Sequence, residues 1–257
     1  MQTAESDPTQ VKQQTSRLAA RDYPFYNNKP VAISLSGWVL VLVLVALGFV
    51  GLTSPLPFYG DISSQIVPPL LFVLLPLIGL ALVVGSHWRA LFFKVTLNDL
   101  SWMVLIALAN LVVTVAVALL VQNVFDVQPN AAIEMLVAMD SPHQAMFFVK
   151  TIPQLMGEEL ITMLPFLAIL QLCTRVMHWK LVPSVMLAWL LTAIMFGLFH
   201  LPTYQWNWLQ CIIIIGSARL ILTLAYIKTK NLWTSFGAHV INDWVLFSTV
   251  LLGAIWA

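Results

Sequence analysis

Two adjacent carboxylates, Glu158 and Glu159, stand in the middle of the apolar stretch TIPQLMGEELITMLPF. Further on, FGLFHLP sets Phe196 and His200 at i and i+4. GAHVINDW sets His239 with Asn242 and Asp243 at i+3 and i+4, so each group shares one helix face. A carboxylate and an imidazole converging on one water can take its proton and raise its nucleophilicity. A second imidazole and a side-chain amide can donate to the oxyanion that forms on an attacked carbonyl. Such donors act most strongly where few waters compete. The set is therefore equipped to hydrolyse an amide. Adjacent helical positions differ by about 100°, so one glutamate can face a wet cavity while the other hydrogen-bonds within the bundle. The plain alternative is a structural carboxyl, protonated or paired between helices.

The elements that must carry these residues are membrane spans. Of 257 residues, 60% are hydrophobic and 9% charged, against about a quarter charged in a soluble domain. Apolar stretches long enough to cross a hydrocarbon core of roughly 30 Å recur from position 31 onward. The expected fold is all-α, a polytopic bundle of about seven spans near 31–52, 65–85, 100–122, 146–173, 181–200, 207–227 and 232–255. Residues 1–30, with Pro8, Pro24 and Pro30, read as a polar tail and not as a cleavable signal peptide. Residues 31–145 then form N-terminal spans, and 146–257 the core that carries the chemistry, since the first three spans hold no ionisable residue well inside them. Segment 131–139 is expected to form a short interfacial helix. Cys173 and Cys211 fall in apolar runs and read as buried thiols, and the net charge of +1 gives no reason to invoke nucleic acid.

Lys and Arg alternate from loop to loop. Lys12, Arg17, Arg21 and Lys29 precede the first span; Arg89 with Lys94, Arg175 with Lys180, and Lys228 with Lys230 mark every second connection. The stretches 53–64, 123–145 and 201–206 carry neither residue. By the positive-inside rule the N-terminus is cytoplasmic and the C-terminus outside. On this topology His200 lies near the outer end of its span. His239 starts about 10 Å from the inner end of its own, at about 1.5 Å per residue. Their meeting requires helices that are tilted, broken or re-entrant near Gly197, Pro202 and Gly216.

The motifs Glu158-Glu159-x-x-x-Met163, Phe196-x-x-x-His200 and His239-x-x-x-Asp243 resemble, in order, those of the CAAX protease and bacteriocin-processing (Abi) family of membrane endopeptidases. The stretch IGSARLILTLAYIKTKNLWTSFGAH, which leads into the last motif, is also similar to the family's linking segment. The resemblance covers roughly residues 145–250. It implies Glu158 as general base, His200 assisting it in activating water, His239 supporting the oxyanion and Glu159 as a second, structural carboxylate. It also implies glutamate-based chemistry without a metal. A zinc ion on Glu158, His200 and His239 is the rival, but no HExxH occurs.

Two positions depart from the family pattern. Met163 stands where an arginine is usual; Arg219, in the sixth span, either substitutes for it or snorkels and packs. Asp243 stands where an amide is common, and it orients His239 or is protonated, with Asn242 as the alternative amide donor. The expected activity is hydrolysis of a peptide bond in a peptide or membrane-protein substrate, in a bacterial plasma membrane, serving bacteriocin self-immunity or peptide processing. The alternative is a non-catalytic immunity protein that binds a bacteriocin or its membrane receptor. A transporter is disfavoured, since no inverted repeat or pair of broken helices is visible.

Overall fold

The computed structural model describes residues 21–54 and 61–256, with side chains to residue 253. Lys12, Arg17 and Pro8 lie outside the described residues. The described chain is helical, with no strand. Its elements are α1 (Leu35–Thr53), α2 (Val67–Val84), α3 (Leu97–Val121), α4 (Ala131–Ala138), α5 (Ser141–Gln171), α6 (Leu181–Phe199), α7 (Trp208–Thr229) and α8 (Leu232–Trp256). 3₁₀ turns at Ile62–Ile66 and Gly85–Leu91 extend α2, and a π-helical turn at Leu172–Val176 extends α5. Among the described residues, seven helices are long and apolar enough to cross a membrane, within a few residues of the expected limits at most ends. The chain is a multi-pass membrane protein.

Polar caps explain where several helices begin. Ser34 accepts from the Gly37 N–H at the start of α1, Asn130 caps α4 and Asp140 caps α5. Thr96 and Asp99 form a reciprocal capping box on α3. α5 is the central element, packed against α1, α2, α6 and α8 and buried along most of its length. Pro153 and Pro165 lie inside it without ending it, as spanning helices tolerate when neighbours re-satisfy the freed groups. α3 closes the other side of the bundle against α7 and α8. Side chains such as Leu47, Leu82, Val112 and Leu120 project from α1 to α3 without cover, which suits a surface solvated by lipid.

The stretch read as a tail differs in its described part. Residues 21–33 fold back onto the bundle, with Tyr23, Phe25 and Ile33 buried. Arg21 holds the fully buried Asp99 at 2.5 and 2.9 Å, and Gln171 donates to the Ile33 carbonyl at 2.6 Å. The physical reason is that Asp99 sits at the start of a span and needs a cation, which the chain before α1 supplies. The contacts also gather the basic segments at one end: Arg21 reaches the carbonyls of Lys94 and Thr229, and Lys230 lies 4.9 Å from the Tyr23 ring. At the opposite end Gln128 bonds to Gln210, and Asn130 to Tyr204.

Candidate active site

Glu158 and Glu159 lie about halfway along α5 and point to different neighbours. Glu159 is fully buried and accepts two bonds from Arg219, at 2.7 Å from Nη1 and 3.0 Å from Nη2. A planar guanidinium matches a carboxylate in this two-point way, where a lysine would not. His239 Nδ1 donates to the same carboxylate at 2.8 Å. Glu158, 13% exposed, borders a cavity of about 200 Å³ together with His200, His239, Arg219, Asn242 and Asp243. It also accepts from Gln154, one turn earlier, at 3.1 Å.

The imidazoles are held by different means. His200 ends α6, and its Nδ1 donates to the Phe196 carbonyl at 2.9 Å. That bond fixes the tautomer and leaves Nε2 as the acceptor in the neutral ring. His239 has Nδ1 committed to Glu159, and its Nε2 lies 3.7 Å from both Glu158 Oε2 and Asp243 Oδ1. These separations exceed hydrogen-bond length. One water could nonetheless touch both atoms of either pair.

Phe196 ties the two histidine helices together. Its ring centroid is 4.6 Å from that of His200 and 6.2 Å from that of His239, and the Arg219 guanidinium lies 4.8 Å over it. His200 and His239 do reach one cavity, and the backbone between their helices is irregular. α7 runs through a π-helical turn at Cys211–Ile215, just before Gly216, and Pro202–Tyr204 is a 3₁₀ turn. At Gly197 a β-carbon would run into the Cys211 carbonyl oxygen, so only glycine lets α6 approach α7 this closely.

Each of the six residues singled out from the sequence borders this cavity or bonds to one that does. Asp243 does not hydrogen-bond His239; the carboxylate that orients the ring is Glu159, and Asp243 instead accepts from Asn242 Nδ2 at 2.9 Å. Asn242 in turn accepts from Asn110 Nδ2 of α3 at 2.9 Å. Met163 is fully buried among apolar neighbours, and the cation beside the glutamate pair comes from Arg219, itself fully buried and not snorkelling. As for a metal, no three His, Cys, Asp or Glu side chains among the described residues come together closely enough to hold an ion.

Residues 141–245 match the family model of type II CAAX prenyl endopeptidase Rce1-like proteins. Over that stretch the chain is similar to the CAAX-protease family. The match runs from the start of α5 into α8 and contains all three motifs; the family implies protease activity in general. No curated protein and no solved structure matches the chain.

Several contributors to the cavity were not singled out from the sequence. Gln154 was legible as the residue four before Glu158 on the same face. Asn110 and Thr114 come from α3, outside the matched segment, where a scan for ionisable residues passes over amides and hydroxyls. Asn110 is buried and Thr114 partly so, and the buried atoms Asn110 Oδ1, Thr114 Oγ1 and Arg219 Nε lack hydrogen-bond partners in this cavity wall. Tyr204 and Asn130, joined by a 3.0 Å bond, line the cavity toward its outer end. Burial pushes the Tyr204 phenol up to about 12, so it remains a neutral hydroxyl near pH 7.

Proposed function

We propose that the protein is an intramembrane endopeptidase that hydrolyses a peptide bond with a water activated by Glu158 and His200. The supporting observation is the division of roles between the adjacent carboxylates. Glu158 borders the cavity with His200, while Glu159 is neutralised by Arg219 and holds His239. In this reading Glu158, backed by His200 Nε2, takes a proton as the water oxygen bonds to the carbonyl carbon. His239 donates from Nε2 to the developing oxyanion, which it can do as an imidazolium whose other N–H is fixed on Glu159. Collapse of the tetrahedral adduct breaks the C–N bond. The proton held by Glu158 passes to the leaving nitrogen, giving a carboxylate and an amine. Asn242, anchored by Asn110, is the nearby amide that holds Asp243. No metal takes part in this scheme.

The proposed setting is a bacterial plasma membrane, and the proposed role is bacteriocin self-immunity or peptide processing rather than maturation of prenylated proteins. Glu158→Ala, His200→Ala and His239→Ala should each abolish protection or cleavage while expression stays at the parental level. Mass spectrometry of membrane peptides from cells with Glu158 or with Glu158→Ala would then reveal the substrate as the species that accumulates in the variant. Cleavage by purified protein should survive a chelator. Three normally expressed variants that still protect would replace the peptidase by a binder of the bacteriocin or its receptor. Loss of activity on chelation, restored by zinc, would replace the glutamate scheme by a metal one.

A further inference from the structure

We propose that the site is loaded from the non-cytoplasmic face, through a vestibule in which Lys150 receives a carboxylate of the peptide. The fate of that peptide rests on the peptidase reading; its route and its anchoring do not. The cavity beside Glu158 shares Ala132, Gln154, Thr203, Asp243 and Phe247 with a larger one of about 540 Å³. The larger cavity is walled by the end of α1, the start of α2, α4 and the first half of α5. Those segments lie at the end of the bundle opposite Arg21, Lys94, Lys228 and Lys230. Basic residues flank spans on the cytoplasmic side, so the vestibule opens outside.

The other end is shut. Between Glu159 and the basic end, α5 buries Met163, Leu164, Phe166 and Leu167 completely, and the Phe166 ring packs against those of Tyr23 and Tyr226 in tilted and edge-on contacts. A groove of about 560 Å³ beside Trp88 and Trp233 lies near that end, but it shares no lining residue with the cavities at Glu158.

Lys150 is the one Lys or Arg in the outer half of the bundle among the described residues. Its ammonium lies 3.4 Å from the neutral Gln65 amide oxygen and 5.8 Å from the Phe147 ring. It forms no ion pair with a carboxylate among the described residues. A half-buried cation in a largely apolar cavity without a counter-ion is an unfilled electrostatic site. The cavity it lines leads to Glu158, two helical turns further along the same helix face. A peptide carboxylate, terminal or on an acidic side chain, supplies the missing charge and an ionised acceptor for a charge-assisted hydrogen bond from the ammonium.

Two measurements decide the route and the anchor separately. A membrane-impermeant maleimide added to intact cells should label Met135→Cys, at the vestibule, and leave Lys94→Cys unlabelled until the membrane is opened. The parental protein, with buried Cys173 and Cys211, gives the background. The reverse pattern overturns outward loading, whatever the protein does to peptides. For the anchor, a fluorescent pool of hydrophobic heptapeptides is titrated onto Glu158→Ala protein in nanodiscs, as free acids, as C-terminal amides, and as amides carrying one glutamate. The free acids should bind about tenfold more tightly than the plain amides, as befits one charge-assisted hydrogen bond. Lys150→Gln should erase that preference and Lys150→Arg preserve it. The glutamate-bearing amides show whether a side-chain carboxylate serves equally. Equal affinity for acids and plain amides overturns the anchor. Preferential binding by wild-type protein that cuts nothing leaves this inference standing and removes the peptidase reading.

Discussion

Replacing Arg219 by methionine takes away the guanidinium that touches Glu159 and leaves that carboxylate, which has no solvent exposure, with His239 as its remaining partner. Two charge-assisted bonds, of 2.7 and 3.0 Å, are lost. Breaking a buried ion pair from one side costs about 3–5 kcal/mol, because the surviving charge stays desolvated. The His239 N–H still satisfies one oxygen, so the expected loss lies near the lower limit, about 3 kcal/mol. Against a total stability of about 5–15 kcal/mol, the variant should fold but melt early. Removing both charges, in Glu159→Met with Arg219→Met, should recover most of that loss, since an apolar pair of similar volume replaces a costly ionic one.

Function should not follow stability. Without Glu159 the His239 ring loses the bond that fixes its Nδ1, and in the peptidase reading a ring displaced by about 1 Å lowers turnover about a hundredfold. The doubly substituted protein is then nearly as stable as the parent yet slow, with kcat reduced and KM little changed. Arg219→Met with Met163→Arg moves the cation to α5, four residues after Glu159 on the same face, and should restore both properties in part. Reversible unfolding in mixed micelles gives the stabilities, and peptide cleavage in nanodiscs gives the rates. A single Arg219→Met variant within about 1 kcal/mol of the parent and equally fast would refute the argument that this arginine holds the site together.

Gly197→Ala should cost about 1–3 kcal/mol, the usual penalty for overpacking, because its β-carbon meets the Cys211 carbonyl, which is backbone and cannot step aside. The same shift should move His200 and slow cleavage; unchanged melting and cleavage would show that α6 and α7 have room to separate. Arg21→Ala removes the cation from Asp99 at the opposite end of the bundle. It should lower stability by about 1.5–3 kcal/mol, the worth of hydrogen bonds to a charged group, while kcat stays at the parental value, and a drop in kcat would contradict the separation between this end and the site.

The spans were legible from composition along the chain. A backbone in lipid must bond to itself, so apolar length alone identified seven helices and placed most of their ends within a few residues. The sequence also determined that Glu158 and Glu159 face different ways, because the helical rotation per residue is independent of context. The three motifs pointed to one site through their resemblance to a family rather than through any local rule. What joins them is set by depth and rotation of helices far apart along the chain. Arg219 meets Glu159 across 60 positions because α7 is offset by its π-helical turn and because glycine at 197 lets α6 close on it. Asp243 was the expected partner of His239 by spacing along its own helix, yet Glu159 of another helix makes the shorter contact, at 2.8 against 3.7 Å. Asn110 joins from α3, and residues 21–33 fold back to neutralise Asp99, for the same reason. A buried charge or amide takes the best partner that packing brings near, and packing is a property of the assembled bundle.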